Sequence, residues 1–399
     1  MKSKMLGGIL LIAGTCIGGG MLGLPIATAK GGIFHSTLLF VGCWALMTFT
    51  ALLTLEVNLV FPKKSNVISM AKATLGKPGA FISWTIYLLF LYAIVSAYIA
   101  GGQDVLHGLL MNAGINIPIW LCGILFVFAF GYIVAAGIRQ VDLFNRLLMA
   151  LKLSTVFILM LMIANHIDSH NYVRGQIKYL LPAMTVAITS FGFSIIVPSL
   201  RTYFDDNIRQ LRIAILVGSF LPLLCYLAWD AVIFGLVPLK GEFGLERLMG
   251  SNQPLTSLLE SIHYYIPTHY IALLSHTFTS ICVLTAFACV SLGLSDYLAD
   301  GFKTLKQDTG KIIITLATFL PPLCIVIVYP EAFILLLSLA GLLCVMLQAL
   351  MPAMMAWHCR YITKKDMVYQ VAGGKPALLL SIVVSLSIVA VAFYQLLLV

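Results

Sequence analysis

Residues 13–25 read AGTCIGGGMLGLP and sit in the middle of an apolar stretch, 5–29, long enough to cross a bilayer. In lipid such a stretch has to be helical, because only a helix satisfies its own backbone groups there. Yet Gly14, Gly18, Gly19 and Gly20 crowd it, each at about 1 kcal/mol against alanine in a helix interior. Two readings follow. Small residues let neighbouring helices pack closely. Alternatively, the helix is broken at mid-membrane, and its freed N–H and C=O groups face a small-ligand site.

Composition sets the class. The 399 residues are 61% hydrophobic and only 10% charged, where soluble domains carry about 25% charged residues. This is an all-α polytopic membrane protein. The nine cysteines form no CxxC pair and lie mostly in apolar runs, so they read as small buried hydrophobes, not disulfides or metal ligands.

Eleven apolar stretches are long enough for a ~30 Å core: 5–29, 37–60, 80–110, 119–137, 147–165, 179–200, 213–237, 270–294, 312–329, 332–357 and 376–399. Only Pro330 and Glu331 separate the ninth from the tenth, and proline there marks a tight turn. With the N-terminus inside, 18 of the 24 Lys and Arg fall in inner segments. Five (Lys30, Arg174, Lys178, Lys240, Arg247) fall outside, and Lys152 lies within the fifth span. That skew predicts N-in, C-out for eleven helices. It also accounts for the net charge of +9 without a nucleic-acid partner. The longest loop, about 238–269, is a mixed polar sequence with no soluble domain.

The sixth span contains TSFGFSIIVPSL, residues 189–200, whose Gly192 and Pro198 stand 173 residues after Gly19 and Pro25. The first span starts inside and the sixth outside, so the two halves read as inverted copies, 1–165 and 166–357, with 358–399 holding an inner loop and an extra C-terminal helix. A 5+5 inverted repeat with helices 1 and 6 both broken is the pattern of secondary transporters, with substrate at the mid-plane.

Several segments resemble the hydroxy/aromatic amino-acid permeases, a branch of the amino-acid/polyamine/organocation transporters. They are AGTCIGGGMLGLP (13–25), WALMTFTALLTLEV (44–57), VDLFNRLL (141–148), TSFGFSIIVPS (189–199), NIRQLR (207–212), LSDYLAD (294–300), FLPPL (319–323) and GGKPAL (373–378). The resemblance implies a five-plus-five inverted fold and import of an aromatic amino acid, tyrosine the expected one, across a bacterial inner membrane. It also implies a His after FGF; this chain has Ser194 there, which leaves the particular substrate open.

Both breaks carry candidate contacts. Backbone N–H groups of Gly18, Gly19, Gly20 and Met21 start a half-helix whose positive dipole end suits a carboxylate. Carbonyls of Ala13, Gly14 and Thr15, and of Ser190 and Phe191, are candidates for the substrate ammonium. Gly19, Gly20 and Gly192 allow close approach. The Thr15 hydroxyl either joins the site or bonds back to its own helix. An aromatic ring wants an apolar pocket with one polar handle. Phe191 and Phe193 are candidate walls, Tyr92 and Tyr98 further ones, and Ser194, Gln103 or Ser96 candidate handles. Each of these aromatics has ordinary packing as its alternative.

Lys152 is an ionisable group inside a membrane helix, a functional expectation by default, with snorkelling to the inner head groups as the alternative. The resemblance implies that it couples protons. Glu56 is a weaker proton-coupling candidate and otherwise a structural ion-pair partner. Asp104 and His107 suggest an outer vestibule or interface. Asp142 with Arg146, and Asp205 and Asp206 with Arg209, read as inner-loop pairs, and Asp296 and Asp300 with Lys303 and Lys306 as an inner gate.

No HExxH, GxSxG or phosphate-binding loop points to an enzyme, and no filter motif or charged ring to a channel. A sodium-coupled carrier is the nearest rival, and a lysine charge in the cation site argues against it. The expected partners are an amino acid, protons and lipid. No cofactor, metal or obligate protein partner is expected.

Overall fold

The computed structural model describes residues 2–63, 65–135, 138–251, 253–301 and 308–397. Regular structure among them is helical: α1 (Lys2–Cys16), α2 (Gly19–Thr28), α3 (Gly32–Val60), α4 (Val67–Asn112), α5 (Ile119–Ala135), α6 (Ile138–Ala164), α7 (Leu180–Ser190), α8 (Val197–Tyr203), α9 (Ile208–Leu236), α10 (Leu245–Met249), α11 (Pro254–Tyr265), α12 (His269–Gly301), α13 (Asp308–Val328), α14 (Phe333–Cys344), α15 (Met351–Trp357) and α16 (Gly374–Leu397). Among the described residues, eight continuous stretches are long and apolar enough to cross a membrane, and three shorter apolar helices accompany them.

Both expected interruptions are present. The first apolar stretch divides at Ile17–Gly18 into α1 and α2, with Gly18 extended and no side chain capping α2. The sixth divides after Ser190, runs through Phe191–Phe193 and a 3-10 turn, and resumes as α8 with Pro198 in its first turn. Proline is well placed there, since its missing N–H would have no intrahelical partner.

Three further features lie beyond the sequence reading. Helix α4 starts at Val67, 13 residues before the expected span, on an Asn66/Ser69 capping box. It turns at Gly76, φ 76°, just before Pro78. The stretch 333–362 contains a π-helical turn, Val345–Leu350, ahead of Pro352. The long loop between α9 and α12 folds into α10 and α11, with Leu255, Leu258, Leu259 and Ile262 buried along one face of α11.

The half-helices are embedded in the longer ones: α1 packs on α9, α2 on α7, and α14 on both α4 and α7, while α12 packs on α4 and α6. Glycines set these distances. A Cβ on Gly341 of α14 would lie 2.0 Å from the Thr185 carbonyl oxygen of α7, and one on Gly20 would lie 2.6 Å from Ser190 Oγ. Backbones this close are what small residues provide in membrane bundles. None of the nine cysteines forms a disulfide.

Candidate functional site at the paired helix breaks

Tyr226 of α9 joins the two breaks. Its hydroxyl lies 2.7 Å from the Cys16 carbonyl oxygen and 2.8 Å from that of Ser190. One hydroxyl hydrogen therefore serves the C-terminal ends of both α1 and α7. Helix C-termini leave carbonyls without intrahelical partners, and this side chain reaches one from each. Its ring meets Phe191 edge to face, centroids 5.1 Å apart.

Lys152 of α6 completes the first break. It is 1% exposed, and its Nζ donates to the Ile17 carbonyl at 2.6 Å and to Thr285 Oγ1 of α12 at 3.3 Å. Thr285 in turn bonds the Ile281 carbonyl at 2.8 Å. The lysine is thus buried against the break and does not snorkel. No carboxylate pairs with it among the described residues.

The other candidates divide. Gly18, Gly20, Met21, Ser190, Phe191, Phe193 and Ser194 are buried around the breaks, with Gly192 half-buried beside them. Gly19 opens α2. Tyr98 Oη lies 3.9 Å from where a Cβ on Gly18 would stand, so it belongs to the same place. The Ala13 carbonyl accepts from Ile17 N–H at 2.8 Å; Cys16 and Ile17, a few residues on, offer the carbonyls that side chains take. Gly14 packs on Met149. Thr15 is exposed, and its hydroxyl bonds back to the Leu11 carbonyl at 2.8 Å. Tyr92 donates to the Ala317 carbonyl of α13 at 2.8 Å. Gln103 donates to the Pro330 carbonyl and Ser96 to its own helix. The Ser194 hydroxyl donates to Gln348 Oε1 at 3.0 Å, which brings the π-helical turn against the second break.

Glu56 is committed elsewhere. Arg360 grips both of its oxygens, and Val371 N–H donates to Oε2 at 2.6 Å. This fastens the loop before α16 to the C-terminal end of α3. Asp104 likewise has a structural task. Its Oδ2 accepts from Leu255 N–H at 3.0 Å and its Oδ1 from the Thr256 hydroxyl at 2.6 Å. His107 meets Gln253 at 3.0 Å. Together they seat α11 on the C-terminal end of α4.

Just after α8, Asp205 pairs with Lys4 at 3.2 Å and Lys63 at 3.5 Å. Asp206 pairs with Arg201 at 2.5 Å and Lys63 at 3.4 Å. Arg209, the expected partner of both, is in none of these pairs. Arg201 also donates to the Asn58 and Phe61 carbonyls at the end of α3. Hydrogen bonds from Lys4 and from Arg201 hold the Asp205 and Asp206 carboxyls, respectively, below the usual carboxylate range. The side chains of Asp142, Arg146 and Asp300, with Lys303 and Lys306, lie outside the described residues.

Tyr226, Thr285 and Gln348 escaped the sequence reading. Each is a common residue in an apolar helix, and only its distance to a break distinguishes it.

Interrupted helices facing one another inside a helical membrane scaffold define a transporter architecture, and comparison with known proteins agrees. The fold matches that of MhsT, solved in complex with L-phenylalanine, with a TM-score of 0.67 over 98% of both chains at 15% identity. The chain belongs to the tryptophan/tyrosine permease family, whose model matches residues 1–392. It is 33% identical to tyrosine-specific transport system 2 of Haemophilus influenzae over 98% of this chain and 97% of that one. It is 32% identical to the tryptophan-specific transport protein of the same organism, over 93% and 91% of the two chains. This is a multi-pass membrane transport protein for aromatic amino acids, not an enzyme.

Proposed function

We propose that the protein imports tyrosine together with a proton across a bacterial inner membrane. In this reading eleven helices cross N-in, C-out, ten of them in two inverted halves, and the pair of broken helices rocks against the scaffold. The observation that carries the coupling is Lys152 Nζ on the Ile17 carbonyl, 2.6 Å away. A protonated lysine donates to that carbonyl and to Thr285 and ties α6 and α12 to the first break. A neutral amine binds the carbonyl less strongly, because hydrogen bonds from charged donors are roughly twice as strong. Proton arrival and departure would therefore bias the break between closed and open.

The substrate carboxylate is assigned to the uncapped N–H groups of Gly19 and Gly20 at the start of α2. Its ammonium is assigned to carbonyls around Ser190 and Phe191, and its ring to Phe191, Phe193 and Tyr98. Tyrosine is supported by the two tyrosine-specific relatives at 33% and 32% identity.

Uptake by purified protein in proteoliposomes tests both parts. Accumulation driven by an inward pH gradient without sodium is the expected result; uptake that follows sodium and ignores the pH gradient removes the proton claim. Competition among Tyr, Trp, Phe, Leu and Ser ranks the substrates, with tyrosine expected first.

A further inference from the structure

A second buried ionisable group lies outside this machinery. Asp230 of α9 is 1% exposed and stands four residues after Tyr226, so both side chains leave the same face of the helix. Tyr226 grips the inner end of the break, and Asp230 grips the outer end of α2. Its Oδ2 accepts from the hydroxyl of Thr28, the last residue of α2, at 3.0 Å. That hydroxyl has one hydrogen, and the Leu24 carbonyl competes for it at 2.8 Å. Asp230 Oδ1 is buried with no partner.

No neighbouring charge compensates. Helix α2 carries no charged residue. Lys30 just beyond it is held by Glu246 at 2.9 Å, and His35 of α3 meets the Gly31 carbonyl. Past the end of α6, His166 meets the Met162 carbonyl, Asp168 accepts from His170 N–H, and the Tyr172 hydroxyl donates to the Ala231 carbonyl. Lys152 is engaged at the first break. Among the described residues none of these groups bonds or pairs with Asp230.

A buried ionised carboxylate needs a cation or several donors, and here a single shared hydroxyl is on offer. The closed site fits a neutral carboxylic acid. With α2 drawn away from α9, water solvates the charged form instead. We propose that Asp230 is a proton-binding site linked to the closing of α2 on α9, so that the closed, substrate-bound state holds one more proton there than the open state. The proton adds to a carboxylate oxygen from external water, and no other covalent bond changes. The inference rests on the transport reading above, with substrate binding closing the breaks, but not on the role given to Lys152.

The test is full-length protein in lipid nanodiscs, titrated with L-tyrosine in weak buffer with a pH-indicator dye. Wild type should take up protons on binding, and its affinity should fall with rising pH by up to about tenfold per unit for each linked proton. Asp230→Asn should take up one proton fewer and lose that part of the slope, whereas Lys152→Ala should keep it. An Asp230→Asn protein with the wild-type proton count and slope overturns the proposal. Infrared difference spectra of wild type supply a measurement that needs no variant: a protonated-carboxyl band gained on tyrosine binding is expected, and its absence is equally fatal. Wild type that binds none of tyrosine, tryptophan and phenylalanine fails earlier, in the calorimeter, and takes the transport reading down along with this one.

Discussion

Two side chains, Lys152 and Tyr226, hold the broken helices, and each yields a separable expectation. Lys152→Ala should abolish pH-driven accumulation while sparing tyrosine exchange between preloaded vesicles, because exchange needs no net proton movement. Unchanged accumulation would sink the coupling role. Tyr226→Phe keeps the ring against Phe191 but leaves the Cys16 and Ser190 carbonyls without their donor. An orphaned buried acceptor costs about 1–3 kcal/mol. Tyrosine affinity should therefore drop about tenfold or more, read by calorimetry. Both residues show the limit of sequence at this scale. Lys152 announces itself, since a charge in an apolar span is rare. Tyr226 is one of 16 tyrosines, and nothing in its own span sets it apart.

At the scale of the element, two helix ends are held by different chemistry. The end of α8 carries a surface ion network, Lys4 and Lys63 on Asp205, with Lys63 and Arg201 on Asp206. Both aspartates adopt positive φ, 51° and 64°, which non-glycine residues seldom do. The carboxyls lie below their ordinary range through their Lys4 and Arg201 partners. Their contribution is therefore present above the ordinary carboxylate value and lost only as pH falls through the lowered one. Between about pH 6 and 8 both stay charged, so closure of this network should be insensitive to pH across that range. High salt should loosen it, because exposed pairs are screened. Labelling of a cysteine placed at the inner end of α1 reads this out, and labelling that changes across that pH range yet ignores salt would contradict the network.

The C-terminal end of α4 is held instead by packing and backbone bonds, with α11 seated on Asp104. Its apolar spacing at 255, 258, 259 and 262 is the period of an amphipathic helix, but it is diluted inside a loop of mixed polarity and escaped the sequence reading. The Asp205–Asp206 pairing was not legible, since Arg209 is nearer in sequence than Lys4, 201 residues away. The helix break at Gly18 was readable because a glycine cluster disfavours helix wherever it occurs, and the one at Gly192 because Gly192 and Pro198 repeat the spacing of Gly19 and Pro25.

At the scale of the whole molecule, close backbone packing limits what can change. Gly341→Ala would drive a Cβ to within 2.0 Å of the Thr185 carbonyl, forcing α14 off α7. Overpacking of this kind costs about 1–3 kcal/mol and should lower the melting temperature measured in detergent. The same substitution at Gly42 inside α3, where a Cβ meets nothing within 4 Å, should not lower it, because alanine is the better helix former.

The sequence by itself determined the class. Long apolar spans, the skewed Lys and Arg count, two glycine interruptions and the family motifs are local or additive properties, and each survives without knowledge of the packing. The tertiary structure decided which groups meet. It put Tyr226 between the two interruptions, Lys152 and Thr285 on the first, Gln348 behind the second, and Glu56 on Arg360, 304 residues away. It also turned Thr15 outward. The physical reason is that side-chain meetings between packed helices depend on rotation and depth, and a one-dimensional pattern of apolar residues constrains neither.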